Sequence, residues 1–157
     1  MNADIRKILE AADCDTGWEI PKDNWETFPY EDYISDIKLI QEKISEQLDV
    51  ELKRDGSVQD ASFIDQLFIL DDSAFMGNGV IAHIYQFAIR FSNFGKLYTI
   101  YSHVESNLNE STVKQVMQIV EGYGWIYVPR KALKKPYDGK HSGFIGQEWW
   151  IRFFDYI

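Results

Sequence analysis

The sequence predicts an α+β fold: a mainly antiparallel sheet with two principal amphipathic helices and a short N-terminal helix. Apolar residues recur at i, i+3, i+4 and i+7 in the segments predicted to be helical. Apolar and polar residues alternate over residues 80–91, before a glycine-containing loop and a second strand pattern. Helices and strands come in blocks rather than in strict alternation. With 157 residues, 45% of them hydrophobic, the chain is expected to form one domain over 1–157.

Two helical patterns precede the first predicted strand. The short N-terminal helix has its apolar residues at helical spacing, namely Ile5, Ile8, Leu9 and Ala12. An irregular segment over 13–31 follows, in which Trp18, Trp25 and Phe28 are expected to pack against the body of the protein. The longer helix, over 32–49, has a buried stripe of Ile34, Ile37, Ile40 or Gln41, Ile44 and Leu48. Residues 53–56 are predicted to form a turn.

A strand-rich block occupies residues 62–101. It contains a short apolar strand over 62–70, a turn at 77–79, and a longer strand over 80–91 that alternates in polarity. A loop in which Gly95 supplies a positive φ leads to the partner strand at 97–101. Pairing Phe91 with Leu97 would place Tyr101 on the same sheet face as Phe87 and Ile89.

The last third of the chain mixes helices and strands. Asn107 and Glu110 have the spacing of a capping box, and Gly122 and Gly124 are expected to end the helix that it starts. Its buried stripe is Val113, Val116, Met117 and Val120. A strand over 125–128, a short helix over 130–135, a glycine-rich loop over 136–146 and a closing strand over 148–157 follow. On a strand, the adjacent side chains of residues 149 and 150 would point to opposite faces of the sheet.

Composition excludes several classes of protein. Cys14 is the only cysteine, so the chain cannot be a disulfide scaffold, and a net charge of −9 disfavours nucleic-acid binding. No apolar run approaches the length of a membrane span and no signal peptide is evident, so we expect a cytoplasmic protein without a membrane partner. Phosphate-loop, dinucleotide and nucleophile-elbow motifs are absent, and the histidines are dispersed. We therefore expect no cofactor and no metal.

One set of residues resembles a catalytic site. In the predicted hairpin register, Tyr85 faces His103 and His83 faces Glu105, a combination suited to general acid–base work or metal binding. Histidines on an apolar strand face are more often hydrogen-bonded core residues. A small enzyme is therefore the second interpretation of the sequence.

The charges are unevenly distributed. Residues 1–75 hold 19 acidic and 7 basic side chains, a net of −12, whereas residues 76–157 hold 6 acidic and 9 basic, a net of +3. The basic run of the second half, over 130–140, can be a solvated helix face, a helix that pairs with the acidic half, or a contact to nucleic acid or phosphate. We predict the acidic contacts with a basic protein partner to be Glu42, Glu46, Asp49, Glu51, Asp71 and Asp72. Trp149 or Trp150 is the predicted aromatic anchor of that contact.

Two stretches, Asp60–Leu67 and Ile89–Leu97, resemble segments of the small immunity proteins of bacterial polymorphic and contact-dependent toxin systems. The resemblance implies a non-enzymatic protein that binds a cognate toxin, often a nuclease, and blocks it. The acidic balance and the missing catalytic motifs agree with this interpretation. A third interpretation is a structural or ligand-binding module that forms a homodimer through a sheet edge or an aromatic face.

Overall fold

The computed structural model describes residues 1–21, 26–56, 64–70, 85–103 and 109–155. The helices in these ranges are α1 (Ala3–Ala12), α2 (Tyr30–Leu48), α3 (Glu110–Glu121), α4 (Arg130–Leu133) and α5 (Trp149–Phe154). The strands are β1 (Lys53–Asp55), β2 (Asp65–Leu70), β3 (Tyr85–Phe91), β4 (Leu97–Tyr101) and β5 (Ile126–Tyr127).

The five strands form one sheet in the order β1-β2-β3-β4-β5. The pairs β1–β2, β2–β3 and β3–β4 are antiparallel, and β4–β5 is parallel. A parallel pair needs a crossover connection, which α3 supplies between β4 and β5. The predicted α+β class with a mainly antiparallel sheet is therefore confirmed.

Each face of the sheet is covered by a separate group of apolar side chains. Helices α2 and α3 pack on one face, where the buried residues include Ile37, Ile40, Ile44, Leu67, Ile89, Phe91, Ile100, Val116, Val120 and Trp125. Helices α1, α4 and α5 pack on the other, with Leu9, Phe94, Leu97, Val128, Leu133, Tyr137, Phe144, Trp149, Phe153 and Phe154. The sheet is thus the middle layer, and buried tryptophans fill both sides of it.

Side-chain caps set the starts of two helices. Asn2 accepts a hydrogen bond from the backbone N–H of Asp4 at 3.0 Å and caps α1. The cap of α3 is Asn109, which accepts from the N–H of Ser111 at 2.8 Å, so the assignment of this role to Asn107 is wrong. Helix α3 ends at Glu121, directly before the predicted Gly122.

The hairpin register differs by one residue from the prediction. Phe91 pairs with Tyr98 rather than with Leu97, and Ala88 pairs with Tyr101. Gly95 and Lys96 in the connecting loop both have positive φ, at 61° and 50°, and the Ser92 N–H donates to the Leu97 carbonyl at 2.8 Å. A shift of one residue moves every side chain of a strand to the other face. Tyr101 therefore lies on the face opposite Phe87 and Ile89.

The closing strand predicted over 148–157 is wrong for residues 149–154, which form helix α5. The rings of Trp149 and Phe153 stack at 5.6 Å between centroids, and those of Trp150 and Phe154 at 5.7 Å. Both pairs are separated by four residues, which brings side chains together on a helix. Trp149 and Trp150 therefore do not lie on the two faces of a strand.

The segment predicted as a turn at 53–56 begins with β1, which pairs with β2 through Lys53 and Phe68, Arg54 and Leu67. Its charged residues are those of a short strand at the sheet edge, where charges discourage pairing with another chain. The turn prediction is wrong for residues 53–55.

A buried ion pair joins the irregular segment after α1 to α5. Arg152 and Asp13 both have fully buried side chains, and Arg152 Nε donates to Asp13 Oδ1 at 2.9 Å. The Tyr137 hydroxyl and the Lys140 N–H each donate to Asp13 Oδ2 at 2.7 Å. Burial, and then the hydrogen bond to Asp13, raises the pKa of Tyr137 to about 12. This network fixes the layer formed by α1, α4 and α5.

Gly95 is required by both its conformation and its surroundings. A Cβ on Gly95 would lie 2.8 Å from the Cβ of Ala12 in α1. We expect Gly95→Ala to lower the free energy of unfolding by about 2–4 kcal/mol, because a left-handed alanine is strained and its Cβ would overpack against Ala12.

Gly124 is the matched control for Gly95. Its φ is +80°, but among the described residues no heavy atom beyond its chain neighbours lies within 4 Å of where a Cβ would sit. Gly124→Ala is expected to cost only about 1 kcal/mol. Equal costs in urea unfolding would exclude the steric contribution of Ala12.

Candidate functional site: the acidic face of helix α2

Helix α2 presents acidic side chains on the side that faces away from the core. Glu42 and Glu46 each lie two residues from Ile44, which places them roughly 160° around the helix axis from it. Ile44 is fully buried, whereas Glu42, Glu46 and Asp49 are exposed. We call these three residues the acidic face. Because the opposite side of α2 is buried in the core, the acidic face is held in a fixed position.

The carboxylates of the acidic face have no ion-pair partner within the described ranges. Neither they nor the exposed Glu51 form an ion pair with any residue that the structure describes. Asp36, on the same helix, is instead neutralised by Lys96, with 2.6 Å between Oδ2 and Nζ. Charges without an internal partner are the ones available to a second molecule.

Two other acidic residues of the N-terminal half are buried. Asp13 is paired with Arg152, and Asp65 Oδ1 lies 2.6 Å from Arg54 Nε. Burial raises the pKa of the Asp65 carboxyl, against the lowering effect of Arg54. Some of the acidic side chains of residues 1–75 are therefore buried. Helix α2 carries several of those that are exposed.

One apolar side chain of this surface was missed by sequence reasoning. Leu39 is 45% exposed and lies outside the buried stripe of α2. It precedes Glu42 by three residues and Glu46 by seven, which puts all three on one side of the helix. The sequence signal that could have indicated it is that Leu39 does not fit the i, i+3, i+4 spacing of the apolar stripe of α2. Leu39 adds an apolar contact to the acidic face.

A cleft of about 780 Å³ runs between α2 and α3 beside the acidic face. Its lining is about equally polar and apolar, and it is formed by Lys43, Glu46, Gln47, Gln115, Gln118, Ile119, Gly122 and Tyr123. The ammonium of Lys43 lies 5.1 Å from the centre of the Tyr123 ring. Glu46 is thus shared between the acidic face and the cleft, which can receive a polar side chain of a partner.

Of the predicted contacts, Glu42, Glu46 and Asp49 form the acidic face, and the others lie elsewhere or outside the described residues. Asp49 caps the end of α2 in the left-handed conformation, with φ 52°, and Glu51 follows it at the start of the sheet edge. Asp71 and Asp72 lie outside the described residues. The two predicted anchors, Trp149 and Trp150, belong to the layer on the other face of the sheet. Trp149 is fully buried, whereas Trp150 is half-buried.

The residues of the enzyme interpretation are described only in part. His103 is exposed at the end of β4, and His83 and Glu105 lie outside the described residues. This set depends on the pairing of Phe91 with Leu97, whereas Phe91 pairs with Tyr98 in the structure. In the part of the chain that the structure describes, no group of three or more acidic, histidine or cysteine side chains is arranged to hold a metal ion.

No helix among the described residues is both long enough and apolar enough to cross a membrane. The chain matches no family model, no curated protein and no solved structure with which it was compared.

Proposed function

We propose that this chain is a non-enzymatic immunity protein that binds a basic cognate toxin through the acidic face of α2. The observation that carries the proposal is the set of exposed carboxylates that have no ion-pair partner among the described residues. In this proposal α2 and α3 are the two principal amphipathic helices, each with one side in the core and the other side available to the toxin.

Electrostatics supports a role in fast association. Unpaired charges of one sign raise the rate of encounter with an oppositely charged surface, by amounts that fall as salt is added. A nuclease has a basic surface because it binds phosphates. The acidic face would compete for that surface, and its fixed position on a buried helix limits the entropy lost on binding.

Apolar contact supports the lifetime of the complex. Charges at the rim of an interface mainly change the association rate, whereas desolvated apolar groups at its centre slow dissociation. The exposed Leu39 lies among the acidic residues, where it can provide this apolar contact with the toxin. The cleft beside Glu46 would receive a basic or amide side chain of the toxin.

The test is capture of the protein encoded by the neighbouring gene, with this chain as bait. Wild type is expected to bind it, and the double reversal Glu42→Lys/Glu46→Lys is expected to bind roughly a hundredfold more weakly. The matched control is Asp15→Lys/Glu26→Lys, which changes the net charge equally at exposed positions outside α2. Equal weakening by both double variants, or no effect of either, would contradict a site on α2.

A further inference from the structure

A second charged site lies on the opposite face of the sheet. There Arg90 of β3 and Arg130 of α4 approach the same two aromatic rings, those of Tyr101 and Trp150. The guanidinium carbon of Arg90 lies 5.7 Å from the Tyr101 centroid and 5.3 Å from that of Trp150. The corresponding distances from Arg130 are 5.0 Å and 5.7 Å. Two cations therefore share one pair of rings, which themselves meet edge to face at 5.6 Å.

Neither guanidinium has an acidic partner in the described part of the chain. Arg90 is only 6% exposed, and its hydrogen bonds go to neutral acceptors, from Nε to the Gln66 side chain at 2.8 Å and from Nη1 to the Phe154 carbonyl at 2.9 Å. Arg130 donates to the carbonyl of Ser102 at 3.4 Å. Among the described residues no carboxylate lies within ion-pair distance of either arginine. The carboxylate of Asp155 instead accepts from the Trp150 indole at 3.0 Å.

Two buried donors at this site lack an acceptor within the described ranges. Gln66 is fully buried, and its Oε1 already accepts from Arg90 and from the Tyr101 hydroxyl. Its Nε2 has no hydrogen-bond partner among the residues described, and neither has the buried Nε of Arg130. A buried donor without an acceptor and a buried cation without a counter-charge both carry a large desolvation cost. An anion beside Arg130 would supply the counter-charge that the two arginines lack and an acceptor for the Arg130 Nε.

We propose that Arg90 and Arg130, placed around the Tyr101–Trp150 ring pair, form a binding site for a small oxyanion, a phosphoryl or a carboxylate group. Guanidinium groups recognise both kinds of oxyanion through paired N–H donors. The half-buried Arg130 and Trp150 and the exposed His103 give the anion a way in from solvent. The site lies on the sheet face opposite α2 and does not depend on the function proposed there.

The test uses the indole N–H signal of Trp150, assigned by its loss in Trp150→Phe. The ¹⁵N-labelled protein is titrated with inorganic phosphate, and separately with acetate, against sodium chloride at equal ionic strength. We expect a saturating shift of this signal, with a Kd on the order of 1 mM. A shift with phosphate alone assigns a phosphoryl ligand and a shift with acetate alone a carboxylate ligand, and either supports the proposal.

Arg130→Gln is expected to weaken binding at least tenfold. Lys131→Gln is the matched control, because it removes the same charge from the next, exposed position of α4 and should leave binding unchanged. If Arg130→Gln does not fold, Arg130→Lys replaces it; it keeps the charge but loses the paired donors and should bind several-fold more weakly. No saturating shift with either anion, or equal binding by wild type and the Arg130 variant, overturns the proposal.

Discussion

Replacing Asp13 with alanine is expected to lower the free energy of unfolding by about 3–5 kcal/mol. The substitution leaves the fully buried Arg152 guanidinium without its counter-charge. It also removes the acceptor of the Tyr137 hydroxyl and of the Lys140 N–H. Urea unfolding followed by circular dichroism measures the loss. Asp15→Ala is the control, since it removes the same charge at an exposed position two residues away and should change stability by less than about 0.5 kcal/mol.

The double variant Asp13→Ala/Arg152→Met separates the cost of the uncompensated Arg152 charge from the cost of the lost hydrogen bonds. If the uncompensated cation is the main cost, removing it as well should recover part of the lost stability. The other donors of Arg152 reach the carbonyls of Trp18 and Cys14, at 3.1 Å and 3.3 Å, and those contacts are lost in the double variant. A double variant less stable than Asp13→Ala would show that these contacts outweigh the charge balance.

Trp149→Ala is expected to cost about 3–5 kcal/mol, the second large effect. The ring is fully buried, with Tyr137 at 4.6 Å and Phe153 at 5.6 Å between ring centroids. Its indole N–H has no hydrogen-bond partner among the described residues, so its contribution comes from packing. Trp149→Phe should therefore retain much of the stability.

Trp18→Ala is the comparison for Trp149→Ala. Trp18 is 51% exposed and contacts the edge of the same layer, with Phe144 at 5.0 Å and His141 at 4.6 Å between centroids. Less apolar area is lost from the core, so we expect a cost of about 1–2 kcal/mol. Similar losses for the two substitutions would contradict the burial of Trp149 in the layer formed by α1, α4 and α5.

The elements with a clear period were predictable from sequence. The stripe of α2 is buried at Ile37, Ile40 and Ile44, as its spacing predicts, since this helix has one face in the core and one in water. The alternation of β3 places Ile89 and Phe91 in the core shared with α2. Both elements have two different environments on their two sides, which is what a periodic pattern records.

Helix α5 could not be predicted in this way. Four of its six residues are aromatic, and Trp149, Arg152, Phe153 and Phe154 are all buried. A helix covered on most sides has no polar face and therefore no helical period in its sequence. A six-residue apolar run of this kind predicts a strand as readily as a helix. Arg152 interrupts the apolar run because its partner is Asp13, which is 139 residues away in sequence.

The two charged sites also differ in whether they could be predicted from the local sequence. The acidic face of α2 could be predicted because Glu42, Glu46 and Asp49 are close in sequence and all lie off the apolar stripe. The arginine site could not, because Arg90 and Arg130 are brought together only by the position of α4 and α5 on the sheet. The ring pair between their elements comes from β4 and α5, which no local pattern connects.

The association rate of this chain with the toxin encoded by the neighbouring gene, measured by stopped flow at several salt concentrations, tests the role of α2 most directly. The rate constant of wild type and of Asp15→Lys/Glu26→Lys is expected to fall steeply as salt rises. Glu42→Lys/Glu46→Lys should associate slowly at low salt and show little salt dependence. A wild-type rate that is independent of salt, or an equal loss in both double variants, would contradict binding through the acidic face.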